Sequence, residues 1–163
     1  MILNRQRQIR VSVRELELFL AHPLRLVSVP DGAIGVCLVT NAQIAKWNRA
    51  YRGKNSPTDV LSFPAADSAK HAKRNPKSRV KRGANSIRGA DASSDPSRSY
   101  LGDIAIAPAV ARKNARRFGR TFGHEMRILV MHGILHLMGY DHETDTGQMD
   151  RRETRLRRVL DLA

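Results

Sequence analysis

The sequence has a single cysteine and few of the features that mark secreted or membrane proteins. Cys37 alone forms neither an internal disulfide nor a cysteine-based zinc cluster, which fits a reducing compartment. The N-terminal stretch MILNRQRQIR lacks the apolar run of a signal peptide. No stretch approaches the roughly 18 consecutive apolar residues of a membrane span. We therefore expect a soluble cytoplasmic protein.

Acidic residues are scarce relative to basic ones. Twenty-nine Lys and Arg against fifteen Asp and Glu leave a formal charge of +14. This excess indicates a polyanionic partner, and nucleic acid is the commonest, because neutralising its phosphates releases counterions. Anionic lipid is the competing partner. No segment outside the predicted core helices combines a basic face with a wide apolar one, so we predict no membrane partner.

The hydrophobic pattern predicts one α+β domain, which is what 163 residues can supply. We expect a small mixed β-sheet packed by helices, with the histidine-bearing helix at its centre. Pro23 is expected to end the first helix, Asn41 to cap the second and Thr121 to cap the histidine-bearing helix. The predicted strands are 1–4, 34–39, 60–63 and 101–106, and the predicted helices are 13–21, 42–53, 108–118, 122–138 and a last one from about 148.

A basic insertion interrupts this pattern at about residues 65–99. Residues 67–99 contain nine Lys or Arg against three Asp, and almost no large apolar side chains. Such a segment cannot bury itself, so we predict a disordered or loosely ordered insertion. It is either a solvated loop or an electrostatic arm that follows a phosphate backbone.

The sequence HGILHLMGYDH places histidines at positions 132, 136 and 142. Residues four apart lie on the same side of a helix, so His132 and His136 can share one ion. A continuous helix would carry His142 about 15 Å from His132, too far for the same ion. The chain must therefore turn back, and Gly139 permits this because glycine adopts the left-handed conformation.

Three histidine ligands with no obvious fourth predict one zinc ion with an open position, the pattern of catalytic zinc. The alternatives are a structural zinc site and a histidine-rich helix end packed in the core. The metalloprotease pattern HExxH has a glutamate where this chain has Gly133, so peptide hydrolysis becomes the weaker alternative. A zinc ion also lowers the pKa of bound water and polarises a phosphoryl oxygen, which suits phosphodiester cleavage.

HGILHLMGYDH, together with YRGKNSPTDVLSFP upstream and LGDIAI between them, resembles the bacterial YbeY family of rRNA maturation factors. The resemblance implies a single-strand-specific, zinc-dependent endoribonuclease in 16S rRNA 3′-end maturation and ribosome quality control. It implies rRNA and the small ribosomal subunit as partners. It also implies that His132, His136 and His142 bind the metal and that Arg52 is functional.

Arg52 and Asp141 are the candidate catalytic residues. A guanidinium binds phosphate in a bidentate fork, whereas the structural alternative pairs Arg52 with a carboxylate such as Asp59. Asp141 either orients a ligand histidine or handles a proton at the metal. A non-catalytic RNA-binding ribosome-assembly factor with structural zinc remains the alternative function, ahead of a zinc metalloprotease.

Overall fold

The computed structural model describes residues 1–65, 100–141 and 145–162, which form four strands and five helices. The predicted α+β fold is confirmed. The predicted insertion falls almost entirely on residues 66–99, outside the described residues. The strands are β1 (Ile2–Asn4), β2 (Ile34–Leu38), β3 (Val60–Pro64) and β4 (Gly102–Ile106), and the helices are α1 (Val13–Leu26), α2 (Asn41–Arg52), α3 (Pro108–Arg117), α4 (Phe122–Leu137) and α5 (Gln148–Val159).

The strands form one mixed sheet in the order β1-β2-β4-β3. β1, β2 and β4 are parallel, and β3 pairs antiparallel with β4 at the edge. In the centre, Ile34 pairs with Gly102 and Leu38 with Ile106. Parallel neighbours need a long crossover, and α1 supplies it between β1 and β2. The predicted mixed sheet is therefore confirmed.

Side chains alternate between the two faces of the sheet. On β4, Ile104 and Ile106 belong to the main core, which also contains residues of α1, α4 and α5. Ala105 belongs to a smaller cluster with Ile44 of α2 and Leu61 of β3. α2 thus covers one face of the sheet, and α1, α4 and α5 cover the other.

Helix α4 is the central helix that the sequence predicts. Ten of its sixteen residues are buried. Gly133 faces β4, where an added Cβ would lie 2.8 Å from Cγ2 and 2.9 Å from Cδ1 of Ile104. Glycine therefore lets α4 approach the sheet more closely than any other residue would. Among the described residues, no helix has the length and apolar character needed to cross a membrane.

Helix α1 is longer than predicted, because Pro23 lies inside it instead of ending it. Proline in a helix interior removes one backbone hydrogen bond and costs about 3 kcal/mol. Burial of Leu20, Leu24 and Val27 against the main core offsets this cost. The extra turn thus owes its stability to tertiary packing, which local sequence signals do not report.

The helix caps agree with the sequence pattern to within one residue. Oγ1 of Thr40 accepts a hydrogen bond from the backbone N–H of Gln43 at 3.2 Å, so Thr40 caps α2 and the predicted cap at Asn41 is wrong by one position. Oγ1 of Thr121 accepts from the N–H of His124 at 3.2 Å and caps α4 as predicted.

Candidate metal site

His132 and His136 lie one turn apart on α4, and their side chains converge. Their Nε2 atoms are 3.1 Å apart, and both residues are half-buried. Two imidazole nitrogens bound to one tetrahedral zinc ion, each at about 2.0 Å, lie about 3.3 Å from each other. The spacing of this pair therefore fits two ligands of a single ion.

The second ring nitrogen of His132 contacts Glu153 on α5. The distance between Nδ1 of His132 and Oε2 of Glu153 is 2.8 Å. An ionised carboxylate can only accept, so Nδ1 carries the hydrogen and Nε2 keeps its lone pair. A carboxylate in this position fixes the tautomer and the ring orientation of a metal-binding histidine.

Arg157 holds the same carboxylate from one turn further along α5. Its Nη2 donates to Oε1 of Glu153. Burial raises the pKa of Glu153, but the hydrogen bond from His132 and the charge and hydrogen bond of Arg157 outweigh it, and the net pKa is below its ordinary value. Glu153 is therefore an ionised acceptor at neutral pH.

The start of α5 is anchored by Asp145. Its Oδ1 accepts from the backbone N–H groups of Gly147 at 2.7 Å and Gln148 at 3.0 Å, and its Oδ2 accepts from Met149 at 2.8 Å. A carboxylate here also matches the positive end of the helix dipole. This anchor determines where α5 begins and so helps to place Glu153, which follows just over one turn later.

The chain turns back at the C-terminal end of α4. Gly139 has a φ of +89°, as the prediction for this residue requires. The N–H of Tyr140 donates to the carbonyl of Leu135 at 3.1 Å, which folds the chain over the end of the helix. Asp141 follows and is half-buried, whereas His142 lies outside the described residues.

Within the described ranges, no three His, Cys, Asp or Glu side chains form a group that could hold a metal ion. Of the three predicted ligands, the structure brings together His132 and His136. The role of His142 as third ligand stays a prediction. Both roles considered for Asp141 also stay predictions; its backbone carbonyl accepts from the N–H of Asp145 at 2.9 Å.

Gly133 has a packing role that the sequence pattern did not reveal. Its Cα faces Ile104 on β4, and its carbonyl accepts from Oγ of Ser62 on β3 at 3.3 Å. A glutamate here would need the space that Ile104 occupies. The position of the metalloprotease base therefore borders the sheet in this protein.

Arg52 is the exposed last residue of α2, a helix that packs on the other face of the sheet from α4. Asp59, the carboxylate considered as its structural partner, accepts hydrogen bonds from Oγ1 of Thr58 at 3.1 Å and the N–H of Val60 at 2.9 Å. It also accepts from Nδ2 of Asn114 at 2.9 Å, which ties β3 to α3. A functional role for Arg52 stays a prediction.

The sequence reasoning missed Glu153 and Asp145. Glu153 could have been found, because it lies four residues after Met149 and three before Leu156, both of which are buried. An acidic residue on the apolar face of an amphipathic helix needs a buried partner. Asp145 carried a weaker signal, since it precedes the first helical residue by three positions.

The fold and the site define a small α+β protein whose buried central helix presents two converging imidazoles, one of them oriented by a carboxylate. A family model described as Endoribonuclease YbeY matches residues 1–161. Endoribonuclease YbeY of Geobacillus kaustophilus (strain HTA426) is 38% identical over 134 residues, which cover 82% of this chain and 75% of that protein. Endoribonuclease YbeY of Koribacter versatilis (strain Ellin345) is 32% identical over 162 residues, 99% of this chain and 86% of that protein. The chain belongs to the YbeY family.

A solved structure agrees with this assignment. The chain is similar to the solution structure of TM1509 from Thermotoga maritima, with a TM-score of 0.51 and 26% sequence identity. The match covers 99% of this chain and 88% of that chain. The two proteins therefore share their fold.

Proposed function

We propose that this protein is an endoribonuclease that cleaves single-stranded RNA with one zinc ion held by His132, His136 and His142. The observation that carries the proposal is the 3.1 Å separation of the Nε2 atoms of His132 and His136, with the first ring oriented by Glu153. Membership of a family described as endoribonucleases supports the reaction, and the formal charge of +14 supports an RNA substrate.

Each candidate site residue has a separate role in the proposed reaction. His132 and His136 hold the ion through Nε2, and Glu153 keeps the proton of His132 on Nδ1. A bound zinc ion supplies Lewis acidity at the scissile phosphate. Arg52 binds a phosphate oxygen pair through its planar guanidinium, and Asp141 either orients a ligand or moves a proton.

Helix α5 supplies a basic surface on its outer side. Arg151, Arg155 and Arg158 are exposed there, whereas Glu153 on the same helix faces His132. Guanidinium groups arranged along a helix attract a phosphate backbone without reading its sequence. One helix would thus orient a metal ligand on its inner side and bind RNA on its outer side.

The biological setting belongs to the same proposal. We place the activity in 16S rRNA 3′-end maturation and ribosome quality control, with rRNA and the small ribosomal subunit as partners and the cytoplasm as location. Family membership and the basic charge support this setting.

The test is incubation of metal-quantified protein with single-stranded and duplex RNA, with and without a chelator, followed by end-group analysis of the products. We expect internal cleavage of the single strand that stops on chelation and returns when zinc is restored. The end groups also report whether water or the RNA 2′-hydroxyl attacks. Intact RNA in the presence of stoichiometric zinc would contradict the proposal.

The non-catalytic alternative makes a different prediction in this experiment. An assembly factor with structural zinc binds the single strand and leaves it intact, even with stoichiometric zinc present. The metalloprotease alternative is disfavoured by the packing of Gly133 against Ile104, because a carboxylate cannot occupy that position without displacing the sheet contact.

A further inference from the structure

An exposed aromatic ring with two guanidinium groups beside it lies between α3 and α4. The Phe118 side chain is 53% exposed. The guanidinium carbons of Arg117 and Arg120 lie 5.6 Å and 5.2 Å from its ring centre. Both distances are within the range of cation–π attraction.

The backbone around this ring is held in place. The N–H of Phe118 donates to the carbonyl of Asn114 at 2.9 Å, and the N–H of Arg120 donates to Ala115 at 2.8 Å. Nη1 of Arg120 also donates to Oε2 of Glu125 at 3.0 Å, and Glu125 is only 3% exposed. The ring is therefore presented to solvent by an ordered turn, so little conformational entropy is lost when a ligand binds.

Exposed positive charge dominates the surroundings of Phe118, whereas the carboxylate of Glu125 that pairs with Arg120 is buried. The sequence from Pro108 to His124 contains no acidic residue. Within the part of the chain that the structure describes, no carboxylate forms an ion pair with the exposed cations of α3. These cations are Arg112, Lys113, Arg116 and Arg117.

We propose that Phe118, Arg117 and Arg120 form a stacking site for an unpaired RNA base, and that the cations of α3 neutralise the adjacent phosphates. Bases of single strands stack on aromatic rings and on guanidinium planes, whereas a paired base offers neither face. A basic surface with one ordered aromatic ring fits this ligand better than duplex RNA. The inference rests on the proposed function only in taking RNA as the ligand.

The stacking site lies away from the metal site. His132 follows Phe122, the first residue of α4, by ten positions, which corresponds to about 15 Å along the helix axis. A base on Phe118 is thus separated from the scissile phosphate by a few nucleotides. We expect contacts at this distance to contribute equally to the ground state and the transition state, and uniform binding of this kind lowers KM and leaves kcat unchanged.

The test compares zinc-loaded wild type with Phe118→Ala. Fluorescence anisotropy measures binding of labelled single-stranded oligodeoxyadenylate and of an abasic strand of the same length, which keeps the phosphates but has no bases. We expect Phe118→Ala to weaken binding of the oligoadenylate about fivefold to a hundredfold and to leave the abasic strand unaffected. Phe118→Trp should retain the wild-type affinity for the oligodeoxyadenylate, because tryptophan also offers an aromatic face. Leu18→Ala removes an exposed apolar side chain on α1 and should change the affinity for neither strand.

Steady-state cleavage of single-stranded RNA gives an independent reading. Phe118→Ala should raise KM with kcat unchanged. The stacking site would be overturned if wild type and Phe118→Ala bound the oligodeoxyadenylate equally well, or if the substitution weakened binding of the abasic strand by the same factor. Normal cleavage in that case would leave the proposed function intact. Conversely, Phe118-dependent binding by a wild type that never cuts RNA would support the stacking site and remove the proposed reaction.

Discussion

Glu153 on α5 is joined to His132 on α4 by a hydrogen bond of 2.8 Å between Oε2 and Nδ1. The bond leaves Nε2 as the only nitrogen of His132 that can bind a metal. We therefore predict that Glu153→Ala weakens zinc affinity about tenfold to a hundredfold, as loss of such outer partners does in other sites. Competition with a chromophoric chelator measures the affinity. The zinc affinity of Glu153→Gln should lie between those of the wild type and Glu153→Ala, because the amide oxygen of glutamine accepts a hydrogen bond but carries no charge.

A matched control separates this effect from loss of negative charge on α5. Asp150 lies on the same helix and is exposed. Asp150→Asn should retain the zinc affinity of the wild type. If Glu153→Ala binds zinc as tightly as Asp150→Asn does, with both variants folded by circular dichroism, Glu153 does not orient His132.

His136→Ala tests the shared ion directly. Because the Nε2 atoms of His132 and His136 are 3.1 Å apart, loss of one imidazole removes one ligand of the same ion. We expect the zinc content by mass spectrometry to fall below stoichiometric and RNA cleavage to be lost. His22 is an exposed histidine of α1, so His22→Ala should keep both. Full zinc retention with normal cleavage in His136→Ala would contradict the assignment.

Local patterns in the sequence predict most of the fold. A near-continuous apolar run locates β2, and apolar alternation locates β4. Capping signals such as Thr121 locate helix starts. All three depend on neighbours along the chain. Pro23 shows the limit of prediction from local sequence patterns. Its helix continues because Leu24 and Val27 pack against the main core, and a distant contact of that kind leaves no local signature.

Local sequence patterns predict only part of the candidate site. His132 and His136 are one helical turn apart, so their convergence follows from helix geometry alone. The contact between Glu153 and His132 joins residues 21 positions apart on two helices, and it depends on how α5 packs against α4. The role of Gly133 likewise depends on Ile104, a residue of another element.

Arg52→Ala tests whether this arginine contacts RNA. The guanidinium is remote in sequence from the histidines and lies at the end of α2, so its loss should leave zinc content unchanged. Loss of a charged hydrogen bond to phosphate should lower kcat/KM for RNA about tenfold to a hundredfold. Arg49→Ala removes an exposed arginine about one turn earlier on α2 and should have a smaller effect. Unchanged kinetics in Arg52→Ala would make Arg52 a structural residue.

Gly133→Ala tests the close approach of α4 to the sheet. The new Cβ would lie 2.8 Å from Cγ2 of Ile104, which is fully buried and cannot move aside freely. Overpacking costs about 1–3 kcal/mol, against a gain of about 1 kcal/mol from the helix preference of alanine. Denaturant unfolding should therefore show a net loss of stability. In a double-mutant cycle, Gly133→Ala should cost less in an Ile104→Ala background, because the smaller side chain leaves room for the new Cβ. Gly123 on the same helix has no atom within 4 Å of its added Cβ, so Gly123→Ala should be neutral or stabilising. Equal stabilisation by both alanine substitutions would show that α4 does not need glycine at position 133. Packing would then not explain why this chain lacks the glutamate that metalloproteases have at that position.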